Sequence, residues 1–329
     1  MTNAKPILAL TIGDPAGIGP EISLRAAMEP AVRAACRLVL VGDECVLRAI
    51  APVAKFSRGI VKLSTDRAAA ENDVELIDTG SLTTPPGLGV ASREGGAASF
   101  AAIERAIAEA QRGVVHGVVT APINKLALSM AGVKFPGHTE IFGEYTKSKN
   151  YAMMMYGEKL AVGLVTCHQS LASVPGDLTT ERIVAVGKLL SESVARIRGA
   201  APRVAVLGLN PHAGEAGLFG REEIEIVAPA VAELRALGID AEGPLPPDTA
   251  FTPRALARYG AHVCLYHDQG LIPFKMINFE DGVNVTMGLP FPRTSVDHGT
   301  AYDLAGSGRA EITSMIQAIL LAAKLAGHA

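Results

Sequence analysis

The stretch LAVGLVT at residues 160–166 is apolar almost throughout and runs directly into Cys167 and His168. Continuous rather than alternating apolar character is typical of a strand that helices cover on both faces. Five further short runs share this character and end at or near a turn-forming or polar residue: residues 7–12, 38–41, 114–119, 204–209 and 262–266. The chain is therefore predicted to contain a sheet buried between helices.

Segments with helical periodicity separate these runs. Residues 97–112 place Phe100, Ile103 and Ile107 on one face, and residues 181–197 and 310–325 repeat apolar side chains at similar spacing. Strands that alternate with helices predict an α/β architecture. Because 329 residues exceed the roughly 100–200 of one ordinary domain, we expect two domains or a large unit with lobes.

Composition excludes several classes of protein. Hydrophobic residues make up 49% and charged residues 19%, which is a globular composition, and the net charge of −3 gives no general affinity for nucleic acid or an anionic membrane. No stretch approaches the roughly 18 apolar residues that span a bilayer. The four cysteines are scattered without a C-x-x-C pair, and the first residues lack a signal-peptide cleavage pattern. We therefore expect a cytoplasmic protein.

Three histidines follow predicted buried strands, in LAVGLVTCH, VAVLGLNPH and HVCLYH. Ligands of open α/β sheets bind just beyond the carboxyl ends of strands. His168, His212 and His267 are therefore candidate ligands of a catalytic divalent ion, since three imidazoles leave room for water or substrate. The alternative is that each is an ordinary loop residue. Cys167 is a weaker candidate, because neighbours on a strand point to opposite sides.

Two further segments carry candidate anion-binding groups. In FPGHT and the preceding APINK, the side chains of His138, Thr139, Asn124 and Lys125 present hydrogen-bond donors, although helix capping and a solvated lysine would explain them equally. The second segment runs from YHDQGLIPFK to RTSVDHGTA. There Lys275 and Arg293 supply positive charge and Asn284 an amide, close in sequence to His267, Asp268 and His298.

The N-terminal GDPAGIGPE follows the first predicted strand in the manner of a phosphate-binding loop. It contains neither G-x-G-x-x-G nor G-x-x-x-x-G-K-[ST], so it matches neither the Rossmann motif nor the P-loop. If a dinucleotide binds, another set of loops is expected to hold it.

Several long strings follow one another from about residue 7 to the end of the chain: GDPAGIGPE, TAPINK, FPGHTE, NPHAGE, YHDQG, GVN and RTSVDHGTA. In this order and spacing they resemble the 4-hydroxythreonine-4-phosphate dehydrogenase family of pyridoxal phosphate biosynthesis. That family includes dehydrogenases of threonate and erythronate 4-phosphate, and CHQSL, GLFG and LIPFK are similar to that branch. A relative that oxidises an aromatic cis-dihydrodiol is disfavoured because FPGHTE and PINK are intact.

The resemblance implies an α/β, two-domain isocitrate/isopropylmalate dehydrogenase-like fold, with helices covering mixed sheets and the active site in the interdomain cleft. The expected outer, cofactor-side domain comprises residues 1–127 and 286–329, and the dimerisation and metal/substrate domain comprises residues 128–285. A homodimer with shared active sites is implied. So is an active site that uses NAD or NADP and one divalent ion (Zn²⁺, Mg²⁺ or Co²⁺).

Residue roles follow from the same resemblance. It assigns metal ligation to His168, His212 and His267, and substrate binding to His138, Thr139, Lys275, Asn284 and Arg293. Asp248 is similar to a further polar residue near the metal, and with Lys275 it is a candidate catalytic residue. SVDHGTA is similar to the loop that holds the adenosine end of NAD in the relatives, which implies cofactor contacts for Asp297, His298, Gly299 and Thr300.

The expected reaction is oxidation of 4-(phosphooxy)-L-threonine to a 2-amino-3-oxo acid that loses carbon dioxide. The alternative is oxidation and decarboxylation of D-threonate or D-erythronate 4-phosphate. Lys275 is open to two roles, acid/base and phosphate ligand. Two other classes of protein also use such residues: a metal-dependent hydrolase or aldolase, and a non-catalytic binding protein for small anions.

Overall fold

The computed structural model describes residues 5–63, 73–279 and 281–327, and the chain divides into two compact units. The first unit comprises Met1–Ser148 and Leu289–Ala329, and the second comprises Lys149–Gly288. The domain boundaries expected from the sequence stay a prediction. Among the described helices, none is both long and apolar enough to cross a bilayer.

Strands and helices alternate along most of the chain, which confirms the α/β prediction. The described strands are β1 (Ile7–Thr11), β2 (Arg37–Gly42), β3 (Ile60–Lys62), β4 (Val74–Asp78), β5 (Gly117–Thr120), β6 (Ala152–Tyr156), β7 (Ala161–Leu164), β8 (Val204–Leu207), β9 (Ala241–Leu245), β10 (Ala261–Cys264), β11 (Val283–Met287) and β12 (Arg293–Ser295). The described α-helices are α1 (Gly19–Met28), α2 (Pro30–Ala35), α3 (Glu44–Ile50), α4 (Arg93–Gln111), α5 (Lys125–Met130), α6 (His138–Tyr145), α7 (Val174–Asp177), α8 (Thr180–Arg198), α9 (Ala228–Ala236), α10 (Pro253–Arg258), α11 (His267–Ile277) and α12 (Thr313–Gly327).

In the first unit, neighbouring strands run parallel in the order β3-β4-β2-β1-β5-β12. Helix α4 covers this sheet. It begins at Ser92, whose side chain accepts a hydrogen bond from the amide of Gly95, and it buries Ala102, Ile103 and Ile107. These side chains pack in one apolar cluster with strand residues such as Val39. A sheet covered in this way brings the carboxyl ends of β5 and β12 to one edge.

The second unit contains a mixed sheet in the order β11-β6-β7-β10-β8-β9. β11, β6 and β7 pair antiparallel, whereas β7, β10, β8 and β9 pair parallel. Val162, Leu207 and Cys264 of the parallel strands are buried in one cluster with Phe274 of α11. Because β7, β10 and β8 are neighbours and parallel, the three loops that follow them leave from the same edge.

Candidate active site

The three candidate metal ligands follow three neighbouring strands. His168 comes after β7, His267 begins α11 directly beyond β10, and His212 lies in the loop after β8. His168 and His212 are exposed, and the His267 side chain is 41% exposed. The second unit therefore presents three imidazoles at the edge where open α/β sheets bind ligands.

His168 and His267 lie side by side. Their ring centroids are 6.0 Å apart, and both rings line a cavity of about 720 Å³ together with Gln169, Tyr266 and Asp268. Nδ1 of His267 is 2.7 Å from the carboxylate Oδ1 of Asp268. A carboxylate on one ring nitrogen fixes the orientation of an imidazole and leaves the other nitrogen for a ligand. This pair has the chemistry and the access of two ligands in a metal site.

His212 does not join this pair within one chain. Its ring lies 6.3 Å from that of Phe219, and the described residues contain no cluster of three or more metal-ligating side chains. The donor set fits a divalent ion that binds imidazole, such as Zn²⁺ or Co²⁺. Within this chain, two of the three predicted ligands lie together.

In the first unit, Arg293 is buried, with 1% of its surface exposed. Its Nη2 donates a 2.6 Å hydrogen bond to the hydroxyl of Thr120 at the end of β5, and its guanidinium carbon lies 5.4 Å from the centre of the Phe142 ring. Burial lowers the pKa of Arg293 to about 9, although the charge of Glu140 opposes this shift. The side chain therefore remains a cation at neutral pH, held rigidly and poorly solvated.

The start of α6 faces this cation. Burial, and secondly the charge of Arg293, lowers the pKa of His138 well below its ordinary value, so its ring is neutral. Nε2 of His138 and Oε2 of Glu140 are buried, and neither has a hydrogen-bond partner among the described residues. Thr139 is 8% exposed in the same turn. Buried polar atoms without partners usually await a ligand or water, and the Arg293 cation beside His138 makes this cluster a candidate anion-binding site.

The other predicted substrate residues are distributed differently. Asn284 lies on β11 with a buried Oδ1 that has no partner in the described part of the chain. Lys275, in the last turn of α11, and Asp248, in the loop after β9, are both exposed. Asn124 caps α5 by accepting a hydrogen bond from Ala127, and Lys125 is solvated. The capping alternative therefore explains Asn124.

The predicted cofactor loop is tied to the N-terminal glycine-rich loop. The amide of Ile18 donates a 3.0 Å hydrogen bond to the carbonyl of Thr300, and the hydroxyl of Tyr302 donates a 2.7 Å bond to Asp14. Asp14 is 1% exposed, and burial raises its pKa despite the hydrogen bonds it accepts. A side chain at Gly17 would collide with Thr300. The loop that matches no phosphate motif therefore supports the cofactor loop instead.

Several of these residues escaped the sequence analysis. Thr120 and Glu140 contact Arg293 or face it, and Asp14 and Tyr302 join two loops. Thr120 lies in TAPINK, Glu140 in FPGHTE and Asp14 in GDPAGIGPE, whereas Tyr302 directly follows HGTA. Polar residues within such strings, rather than only histidines and cations, are the signal that would have identified them.

Residues 34–322 match the family described as pyridoxal phosphate biosynthetic protein PdxA. The chain belongs to this family. A 4-hydroxythreonine-4-phosphate dehydrogenase of Geobacter metallireducens is 46% identical over 335 residues, covering 99% of this chain and 97% of the relative. A D-threonate 4-phosphate dehydrogenase of Pectobacterium atrosepticum is 42% identical over 324 residues, covering 97% and 99% respectively.

A solved structure extends the agreement to the fold of the family. The crystal structure of 4-hydroxythreonine-4-phosphate dehydrogenase from Klebsiella pneumoniae matches with a TM-score of 0.86 and 43% identity, over 99% of both chains. The predicted family, the α/β fold with mixed sheets and the assignment to the dehydrogenases are confirmed. Membership of this family also implies a nicotinamide cofactor.

Proposed function

We propose that this chain catalyses the oxidation of 4-(phosphooxy)-L-threonine with NAD or NADP and a divalent metal ion. The product is a 2-amino-3-oxo acid that decarboxylates to 3-amino-2-oxopropyl phosphate, a step of pyridoxine 5′-phosphate biosynthesis. The observation that carries this proposal is the pair His168 and His267, with ring centroids 6.0 Å apart in an open cavity, in a chain of the PdxA family.

His168, His267 and His212 would hold the metal ion. Three imidazoles favour Zn²⁺ or Co²⁺ over Mg²⁺, which prefers oxygen ligands. Bound there, the ion would supply a Lewis acid that lowers the pKa of a substrate hydroxyl. Asp268 keeps the His267 ring in one orientation through its 2.7 Å hydrogen bond, so this ligand is oriented before substrate arrives.

A homodimer with shared sites would complete the ligand set. Ile272, Met276 and Phe279 succeed one another along α11 and just beyond it, and they are 59%, 82% and 77% exposed. Leu218 and Phe219, in the segment after His212, are exposed as well. Large exposed apolar side chains mark interaction surfaces. Their closeness in sequence to His212 and His267 supports a second copy that covers this surface and exchanges a ligand.

Local cations must attract the substrate, because a chain with a net charge of −3 cannot do so by its overall field. We assign Arg293, His138 and Thr139 to one anionic group of the substrate. This is supported by the buried guanidinium and by the orphan Nε2 of His138. Lys275 and Asn284 are the proposed contacts in the second unit, where the buried Oδ1 of Asn284 also lacks a partner among described residues.

Oxidation removes a proton from the substrate hydroxyl and a hydride from the carbon that bears it; the nicotinamide accepts the hydride. Lys275 and Asp248 are the candidate groups for proton transfer, and both are exposed and able to exchange protons with water. Lys275 is equally able to bind the phosphate. Asp297, His298, Gly299 and Thr300 would hold the adenosine end of the cofactor, which is supported by the bracing of their loop through Ile18 and Thr300.

A second candidate substrate is D-threonate 4-phosphate or D-erythronate 4-phosphate, with dihydroxyacetone phosphate as the product. The relative from Pectobacterium atrosepticum, at 42% identity, is named for the first of these substrates. Both reactions use the same hydroxyl, phosphate and carboxylate, so the residues assigned above serve either.

We also propose a cytoplasmic location. All four cysteines lie in the described part of the chain and are thiols rather than disulfides. A reducing compartment keeps cysteines in this form.

The test is a substrate panel. Purified protein is supplied with NAD or NADP and with Zn²⁺, Co²⁺ or Mg²⁺, and the absorbance of the reduced cofactor is followed for each phosphorylated four-carbon acid. We expect one of the named substrates to exceed the others by at least a decade in kcat/KM. Metal-dependent turnover without reduced cofactor would contradict the proposal and indicate a hydrolase or aldolase.

A further inference from the structure

Three buried polar side chains connect the loops that carry the candidate metal ligands. Thr166, Gln269 and Glu223 are 6%, 7% and 2% exposed, and each hydrogen-bonds to backbone just beyond the end of β10, of β8 or of both. The resemblance assigns them no role, and none of them is among the residues that line the cavity of His168 and His267.

Thr166 joins the end of β7 to the end of β10. Its hydroxyl donates a 2.7 Å hydrogen bond to the carbonyl of Leu265, and its amide donates to the same oxygen at 3.2 Å. Leu265 is completely buried and lies just before His267. Through this one carbonyl, Thr166 ties the loop that carries His168 to the start of α11.

Gln269 joins the end of β10 to the end of β8. Its Oε1 accepts a 2.7 Å hydrogen bond from the amide of Leu265, and its Nε2 donates a 2.7 Å bond to the carbonyl of Gly208. The acceptor on one side and the donor on the other fix the orientation of the amide group. Gln269 therefore ties the His267 and His212 loops together through a single side chain.

Glu223 holds the loop of His212 itself. One carboxylate oxygen accepts 2.7 Å hydrogen bonds from the amides of Leu209 and Asn210, and the other accepts a 3.0 Å bond from the Asn210 side chain. Beyond this anchor His212, Ala213 and Glu215 have φ of 52°, 52° and 44°, a left-handed conformation that is costly for L residues.

We propose that Thr166, Gln269 and Glu223 are positioning residues that fix the three histidine-bearing loops of each chain before the ion arrives, so that each histidine is already placed for the metal site to which it contributes. A left-handed loop persists only where its surroundings impose it, and the buried Glu223 carboxylate anchors Leu209 and Asn210, the two residues that lead into it. Groups that hydrogen-bond directly to ligating side chains typically contribute 10- to 100-fold in metal affinity, and we take this as the scale of the effect. The inference rests on the proposed function, since it takes the three histidines as ligands.

The test measures the dissociation constant of Zn²⁺ on the full-length protein, by competition with a chromophoric chelator. Gln269→Met removes both bonds at nearly constant volume, Glu223→Leu removes the acceptor, and Thr166→Val removes the hydroxyl. Glu223→Gln keeps one oxygen for the two backbone amides and should restore binding. Thr294→Val is the matched control, because its buried hydroxyl also donates to a carbonyl, at 2.8 Å to Ala318 in the first unit.

We expect Zn²⁺ to bind 10- to 100-fold more weakly to Gln269→Met and Glu223→Leu, and as in wild type to Glu223→Gln and Thr294→Val. Amide hydrogen exchange of the metal-free protein should rise in residues 208–217 for Glu223→Leu and at Leu265 for Gln269→Met. If Glu223→Leu does not fold, the Zn²⁺ affinity of Gln269→Met alone tests the inference.

Two results would overturn the inference, and they differ in meaning. If Gln269→Met binds Zn²⁺ as wild type does while His168→Ala does not, the metal site stands and the positioning role is wrong. If His168→Ala itself binds Zn²⁺ as wild type does, the metal assignment fails, and the inference built on it fails too.

Discussion

Replacement of Arg293 by lysine perturbs the candidate anion site at its centre. The guanidinium is 1% exposed, donates to Thr120 at 2.6 Å and lies 5.4 Å from the centre of the Phe142 ring. Lysine keeps the charge but cannot donate in a planar fork or stack in the same way. We therefore expect Arg293→Lys to impair substrate binding while leaving cofactor binding unchanged.

The magnitude follows from the bonds that are lost. A hydrogen bond to a charged group contributes about 1.5–3 kcal/mol. At about 1.4 kcal/mol per decade, Arg293→Lys should lower kcat/KM by about one to two decades. Arg182→Lys is a control for the loss of a half-buried guanidinium, since Arg182 donates to the carbonyls of Tyr151 and Val165 in the second unit. The loss of kcat/KM in Arg182→Lys should be the same for phosphorylated and dephosphorylated substrate.

The assay is steady-state kinetics on phosphorylated and dephosphorylated substrate, for wild type, Arg293→Lys and Lys275→Met. Removal of the phosphate should cost wild type more than it costs the variant that has lost the phosphate ligand, which appears as coupling in a double cycle. Equal losses in all three proteins would refute the idea that either residue reads the phosphate. An Arg293→Lys enzyme with wild-type kcat/KM on the intact substrate would refute any role of Arg293 in substrate binding.

Three further predictions concern the shared site, the core and the cofactor loop. Because His168 and His267 lie together in one chain, a mixture of the His212→Ala and His267→Ala variants should regain activity after subunit exchange. A mixture of His168→Ala and His267→Ala should not. Recovery in both mixtures, or in neither, would contradict the shared arrangement. Burial lowers the pKa of the His262 side chain to about 4, below its ordinary 6.5. The neutral ring therefore contributes fully to the free energy of unfolding above pH 6.5, and about 3 kcal/mol of this contribution is lost as the pH falls towards 4. Denaturant melts of wild type and His262→Phe should converge or cross over that range, and parallel curves would contradict this. Tyr302→Phe removes the 2.7 Å hydrogen bond to Asp14. It should raise the KM for the nicotinamide cofactor about tenfold and leave the affinity for Zn²⁺ unchanged. An unchanged KM would mean that Tyr302 plays no part in cofactor binding.

The sequence predicted the strands that are apolar without interruption. The runs at residues 7–12, 160–166 and 204–209 contain β1, β7 and β8, because strands covered on both faces need apolar side chains at every position. β12 escaped notice for the opposite reason. Its sequence is RTS, and its buried Arg293 donates to Thr120, a residue distant in sequence. No local pattern reports such a partner.

The sequence also indicated part of the arrangement of the candidate metal site. The rule that ligands gather beyond strand ends grouped three histidines; His168 and His267 lie side by side in this chain and His212 does not join them, and metal ligation by all three stays a prediction. The left-handed loop at His212 was not predictable from local propensity, since histidine, alanine and glutamate rarely adopt positive φ. The residues that lead into it, Leu209 and Asn210, are held by Glu223, which is buried by packing that forms only in the folded unit. Glycines at positions 208, 214, 217 and 220 were the available hint that this segment turns tightly.

We propose that a divalent ion on these histidines drives oxidation of a phosphorylated hydroxy acid. Its most direct test is the formation of reduced nicotinamide by metal-stripped protein that is titrated with Zn²⁺ or Co²⁺ at fixed 4-(phosphooxy)-L-threonine and, separately, at fixed D-threonate 4-phosphate. We expect no reduced cofactor before metal is added, a rate that saturates as the histidine sites fill, and no recovery in His267→Ala. A full rate in the metal-stripped protein, or a His267→Ala variant that responds to metal as wild type does, would contradict it.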